Sequence, residues 1–315
     1  MADHSNPCAG CEQSSETRVS VQDKAIRESR SKPPLRVVFM GTPDFAAVIL
    51  ERLLDSPVAS VVAAYSQPDR TAGRGKQMRS PAVKQLAERR GIPVQQPLNF
   101  KNTPEGLEAV ESLSAYGPDL LVVAAYGLIL PQRVLDVPSL MPVNVHASLL
   151  PKYRGAAPIQ RAIINGETVT CVTIMRMEAG LDTGPILMQR AVGIGLQDTS
   201  ATLHDELARE GGDLLVAALE RLSAGALQSV PQDGGRATYA QKLTKSESEL
   251  DFRESARALH ARIRGLTPWP GAVMKLCRPG QEDILVQLEP GLFPPPAGLT
   301  ELAAGPVSSG SPARP

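Results

Sequence analysis

Residues 143–158, VNVHASLLPKYRGAAP, decide the reading of this chain. Asn144 and His146 sit two apart in what reads as a short strand, and side chains at i and i+2 of a strand share a face. An amide and an imidazole therefore emerge side by side. Ser148, Leu149, Leu150, Pro151 and Gly155 follow at once, a combination that ends the strand and turns the chain around the polar pair. The pair is left at a carboxyl end, and open α/β sheets bind their ligands in crevices beyond those ends.

Working outward, the flanking pattern is that of repeated βα units. Residues 35–40 form an apolar run ending at Gly41, with Thr42 placed to cap a helix, Pro43 at its first position, and Ile49, Leu50, Leu53 and Leu54 at helical spacing. Strand 58–65 and helix 81–90, with Ser80 as its cap and Gly91 as its stop, repeat the unit. Further strands at 92–95, 120–124 and 143–147 alternate with helical segments. Strands 168–177 and 186–192 and a helix over 200–222 come after. The succession predicts an α/β fold, a Rossmann-like doubly wound and largely parallel sheet. The first βα turn, GTPDFA, has no GxGxxG glycines, and GRGK at 73–76 lacks the Ser or Thr of a Walker A loop, so neither NAD nor a P-loop nucleotide is expected.

The partner expected for the polar pair is Asp182, in the turn GLDTG, where Gly180 and Gly184 let the backbone bend and present a carboxylate. Asn, His and Asp together suit acyl transfer: an oxyanion donor, a proton carrier and a carboxylate to support it. Taken singly, each of these residue types is more often structural than catalytic.

The strings GTPDFA (41–46), QPDRTAGRGK (67–76), AYGLILP (125–131), NVHASLLPKYRGAAPIQ (144–160), GLDTG and PWPGA (268–272) occur in this order. Together they resemble the folate-dependent formyltransferase superfamily, over about residues 35–269. The resemblance implies that Asn144, His146 and Asp182 are catalytic. It also implies that 10-formyltetrahydrofolate is the formyl donor and the α-amine of methionyl initiator tRNA the acceptor. Tyr126, Gly127, Leu128, Ile129, Ser148, Leu149, Leu150 and Pro151 would line the folate pocket. Arg70, Arg74, Lys76 and Arg79, set against the single acid Asp69, would form an arm that follows tRNA phosphates. Arg154 is expected to join them as a tRNA-binding residue that meets an anionic or carbonyl group, or else to brace its loop. Within the superfamily, acceptors of another kind, a nucleotide sugar or glycinamide ribonucleotide, would use the same trio, and a non-catalytic folate- or RNA-binding remnant is the alternative outside enzymology. No metal is expected in this chemistry.

Composition sets the remaining bounds. The 315 residues are 42% hydrophobic but only 3% aromatic, so the core is aliphatic; no apolar run reaches the roughly 18 residues a membrane span needs. Formal charge is zero, so contact with nucleic acid must come from a local patch. Four scattered cysteines argue for a reducing cytoplasm, and Cys8 and Cys11 have no second pair at zinc spacing. The expected organisation is a disordered extension (1–34), a catalytic domain (35–225), a linker (226–249), a partial OB-like domain (250–289) and a disordered Pro/Gly/Ala/Ser-rich tail (290–315). Two strands at 273–276 and 284–288 do not make a five-stranded barrel, which points to truncation of that domain. The chain is expected to act as a monomer, off the membrane. His204 and His260 are read as structural and surface residues.

Overall fold

The computed structural model describes residues 33–72, 77–277 and 281–291. In chain order its elements are β1 (Leu35–Gly41), α1 (Asp44–Leu54), β2 (Ala59–Tyr65), β3 (Arg70–Ala72), β4 (Gln77–Arg79), α2 (Ala82–Arg89) and β5 (Val94–Gln95). Then come α3 (Pro104–Ala115), β6 (Leu120–Ala124), α4 (Gln132–Leu135), β7 (Met141–His146), β8 (Arg154–Gly155), α5 (Pro158–Ile164), β9 (Val169–Arg176), β10 (Ile186–Gly193) and α6 (Ser200–Ser223). The last elements are β11 (Tyr239–Ala240), α7 (Ala256–Leu266), β12 (Ala272–Leu276) and β13 (Ile284–Leu288).

Seven strands form one sheet in the order β10-β9-β7-β6-β1-β2-β5, parallel throughout except that β9 runs against both of its neighbours. The chain leaves β1 toward β2 and β5, then crosses to β6 on the other side. The reversal leaves a crevice at the carboxyl ends of β1 and β6, the place where doubly wound sheets take ligands.

Strand alternation divides the core into two layers. On one face Val37 and Phe39 of β1, Val122 and Ala124 of β6, and Val143 and Val145 of β7 pack against α1, α5 and α6. On the other, Val38, Met40, Leu121 and Val123 pack with Phe100, Leu113 of α3, and Val134 and Leu135 of α4. Each fully buried leucine is worth about 1.5–3 kcal/mol against exposure, so α6 alone, with Leu203, Leu207, Leu214, Leu215 and Leu219 buried, is a main support of the first layer. No buried residue of β7 joins the second layer's apolar cluster. By the alternation, Asn144 and His146 face that side.

Local expectations fail where a side chain finds a tertiary partner. Thr42 does not cap α1, whose N-cap position is Pro43; its hydroxyl donates to the Tyr126 carbonyl at 2.9 Å. Ser80 does not cap α2, because its hydroxyl donates to Asp69 at 3.1 Å. His260 is buried rather than on the surface, with Nε2 3.1 Å from the Gly291 carbonyl, and burial moves its pKa down. His204, half-buried, lies against the Phe45 ring.

A third apolar cluster joins the C-terminal segment to the sheet domain: Ala157, Leu243, Leu250, Leu266 and Ala272, with Ile164, Leu259, Ile263 and Leu288 against them. The β12–β13 hairpin is antiparallel and stands on this cluster. Among the described residues no helix is long and apolar enough to cross a membrane. Cys8, Cys11, the extension over 1–32 and the tail from 292 lie outside the described residues.

Candidate active site

The site is built on β7. Asn144 stands opposite Met175 of β9 and Val123 of β6, and His146 opposite Thr173 of β9. Asn144 is half-buried and its amide has no partner among the described residues. His146 is 7% exposed. Its Nε2 lies 3.1 Å from the Tyr153 carbonyl oxygen, which can only accept, so Nε2 carries the proton of the neutral ring. Nδ1 is thereby the basic nitrogen. It faces Asp182, with Oδ2 at 3.8 Å.

Asp182 adopts φ +51°, in the left-handed region, at the tip of the turn between β9 and β10. Its Oδ2 accepts the Gly155 backbone N–H at 2.8 Å. Gly184 allows the turn to close: a Cβ there would collide with the Arg176 carbonyl oxygen. The turn after β7 is fixed from several directions. Ser148 Oγ donates to the Lys152 carbonyl at 2.7 Å, Thr173 Oγ1 to the Ser148 carbonyl at 2.7 Å, and Gln189 Nε2 to the Leu150 carbonyl at 3.1 Å. Ser148 and Leu150 are buried, while Pro151 is half-buried and Leu149 exposed at the rim.

Residues 226–249, expected as a linker, hold this turn. Thr238 accepts the Tyr153 N–H on its Oγ1 at 2.9 Å and the Arg154 N–H on its carbonyl at 2.8 Å. β11 pairs with β8 in parallel, and the Ala240 carbonyl accepts the Ala156 N–H at 2.9 Å. Arg154 is 5% exposed, and its guanidinium donates through Nε and Nη2 to Gln232 Oε1 at 3.1 and 2.7 Å. This contact braces the loop that carries Arg154.

The residues after β6 that were expected to line a folate pocket divide between core and surface. The Tyr126 ring is buried in the second apolar layer and burial pushes its phenol pKa up, while its carbonyl accepts from Thr42 and from Gln67 Nε2 at 3.1 Å. Three strand-end loops are thereby tied at one oxygen. Gly127, at φ +82°, is exposed, Leu128 packs partly on the core, and Ile129 is 91% exposed. The Tyr126 ring is thus packed in the core, while Gly127 and Ile129 stand at the surface beside the half-buried Leu128.

The basic arm is the β3–β4 hairpin, with Arg70 opposite Arg79, both exposed; Arg74 and Lys76 lie outside the described residues. Its root is a polar knot. Lys84 Nζ donates to both Asp69 oxygens at 3.0 and 2.9 Å and to Gln96 Oε1 at 3.0 Å, while Gln96 Nε2 donates to Asp69 at 2.9 Å. The hydrogen bonds from Gln96 and then Lys84 hold the Asp69 carboxyl below its usual range. Arg70 and Arg79 line a cavity of about 330 Å³ that also borders Thr42, Asp44, Gln67 and Ser80.

The structure thus brings His146 and Asp182 together beside Asn144, and sets the basic arm at the same end of the sheet. Sequence reasoning missed Thr42, Gln67, Gln232 and Thr238 as parts of this scaffold, since each bonds to a residue remote in sequence.

Comparison with known proteins agrees with this architecture. The "Formyl transferase" family profile matches residues 35–219, and the profile of its C-terminal domain matches 242–288. Methionyl-tRNA formyltransferase of Nitratidesulfovibrio vulgaris is 54% identical over 262 residues, covering 83% of this chain and 78% of that one. A 4-N formyltransferase from Francisella tularensis superposes with a TM-score of 0.62 at 15% identity, over 83% of this chain and 100% of that one. The N-formyltransferase from Helicobacter canadensis, solved with folinic acid and dTDP-3-aminofucose, gives 0.54 at 18%, over 73% and 80%. The two solved structures share the fold; the profiles and the close sequence relative go further, and with them the chain belongs to the formyl transferase family.

Proposed function

We propose that this chain transfers the formyl group of 10-formyltetrahydrofolate to the α-amine of methionyl initiator tRNA, a step of translation initiation. The observation that carries the reading is the approach of His146 Nδ1 to the Asp182 carboxylate at 3.8 Å, on the same strand face as the free amide of Asn144. As the amine adds to the formyl carbon, Asn144 donates its N–H to the oxygen that gains charge. His146 takes the ammonium proton on Nδ1, its ring fixed by the Nε2–H bond to Tyr153. Asp182 balances the charge of the imidazolium, which then returns the proton to the departing folate nitrogen.

In this reading the rim of Gly127, Leu128 and Ile129 and the Ser148–Leu149–Leu150–Pro151 turn receive the folate, with Tyr126 acting through its backbone. Arg70, Arg74, Lys76 and Arg79 receive tRNA phosphates, and Arg154 acts by positioning. The tRNA acceptor is favoured over a small amine by the name and 54% identity of the Nitratidesulfovibrio relative and by the paired arginines of the arm. The fold shared with sugar formyltransferases does not choose between them.

The test is transfer of labelled formyl to methionyl initiator tRNA, with a deoxythymidine diphosphate amino sugar and glycinamide ribonucleotide as rival acceptors. Asn144→Ala should lower turnover by about 100- to 1,000-fold with an unchanged melting temperature, and His146→Ala by about 100- to 10,000-fold with a lower melting temperature, since a buried, hydrogen-bonded ring is removed. Full turnover by folded Asn144→Ala, or transfer to a rival acceptor in preference to tRNA, would overturn the proposal.

A further inference from the structure

Gln232 lies in the gap between the two profile matches, which end at 219 and resume at 242. Its carboxamide uses both ends. Oε1 accepts two N–H groups of the buried Arg154, and Nε2 donates to the carbonyls of Asp182 at 2.9 Å and Gly184 at 2.7 Å. An amide oxygen has two acceptor sites and an amide nitrogen two protons, so all four are engaged. One side chain thereby joins the turn that carries Asp182 to the turn that carries Gly155 and Arg154.

This matters because the Asp182 carboxylate is held by those same two turns. Its backbone sits at φ +51°, in the left-handed region that Asp tolerates better than most side chains but that still costs more than the ordinary conformations, so contacts that hold the turn favour it. The Asp182 and Gly184 carbonyls flank the bend, and the Gly155 N–H grips the carboxylate from the other side. Nearby, β11 and Thr238 fix the Pro151–Ala157 stretch.

We infer that Gln232 is a positioning residue of the reaction: it sets the Asp182 carboxylate against His146 Nδ1, and the segment from Gln232 to Ala240 is a strap that completes the active site. The inference rests on the proposed function for its kinetic readout alone. No ligand contact is assigned to Gln232, which acts through Asp182.

The experiment is a double-mutant cycle in the full chain, Gln232→Ala and Asp182→Ala singly and together, read by formyl transfer. Gln232→Ala should lower kcat by about 10- to 100-fold, the cost of misplacing a catalytic group by about an ångström, with KM for tRNA within about twofold. In the Asp182→Ala background the same change should cost less than about twofold, because the group it positions is gone. Gln232→Glu keeps the bond to Arg154 but sets a carboxylate against two carbonyls. It should be as impaired as Gln232→Ala, whereas loss of packing alone would leave it near wild type. Equal cost in both backgrounds, or a rise in KM alone, would overturn the inference. Amide hydrogen exchange at Gly155 gives a readout independent of activity: it should quicken in Gln232→Ala, and unchanged protection would overturn the inference even if the wild type transferred no formyl group. Lack of transfer by the wild type with quickened exchange would refute the proposed acceptor and leave the positioning role standing.

Discussion

At the scale of single residues, the site depends on close approaches as much as on polar groups. Gly184→Ala forces a methyl group toward the Arg176 carbonyl oxygen, at a position where the backbone itself must give way. Overpacking of this kind costs about 1–3 kcal/mol, so the variant should unfold at lower denaturant and lose most of its transfer activity, as chemical denaturation and turnover measured side by side will register. A strand's two-residue repeat and a carboxylate between glycines suggested Asn144, His146 and Asp182 in the sequence, and the resemblance to formyltransferases is what joined them into one candidate set. Gln232 was not legible. Its partners Arg154, Asp182 and Gly184 are 78, 50 and 48 residues away, and a glutamine in a proline- and glycine-containing loop leaves no local trace of such a bond. Thr42 and Ser80 show the converse: each reads as a helix cap, and each gives its hydroxyl to a partner on another loop.

At the scale of elements, α5 packs both on the sheet and on the C-terminal segment. Arg161 on α5 clamps Glu247 with Nη1–Oε2 at 2.6 Å and Nη2–Oε1 at 3.1 Å, and this hydrogen bonding lowers the Glu247 pKa from 4.5 to about 2. A carboxylate whose folded pKa is depressed contributes stability above its unfolded pKa and loses it as pH falls through the folded value. The melting-temperature gap between wild type and Glu247→Gln should therefore be full above pH 4.5 and close as pH falls toward about 2. Leu266, fully buried at the end of α7, anchors the same junction. Leu266→Ala should cost about 2–5 kcal/mol in the denaturant unfolding of the full chain. α6, 24 residues long, was readable from its helical period and β6 from its unbroken apolar run, whereas β8 and β11, two residues each, carry no pattern at all.

At the scale of the whole molecule, zero formal charge makes the basic arm a local field in a neutral body. On the proposed function, Arg70→Gln and Arg79→Gln should each raise KM for tRNA with little change in kcat, and each should reduce the slope of log affinity against log salt by about one phosphate contact. A titration of tRNA affinity against salt concentration will test this. The doubly wound plan could be read from the alternation of strands and helices, but not the placing of β9 against the run of its neighbours, which depends on pairings such as Val145 with Ile174. The strap from Gln232 to Ala240 also imposes an order on biosynthesis. Every strand of the main sheet is already in the chain by Gly193, so the sheet can assemble on the ribosome before the strap has emerged. A nascent chain at that stage has its trio of polar side chains and the Gly155–Asp182 bond, but not the Gln232 carboxamide that ties Arg154 to the Asp182 and Gly184 carbonyls. On the positioning role inferred for Gln232, full catalytic competence is then a late acquisition of translation, gained when a segment outside both matched profiles arrives to lock the earlier ones.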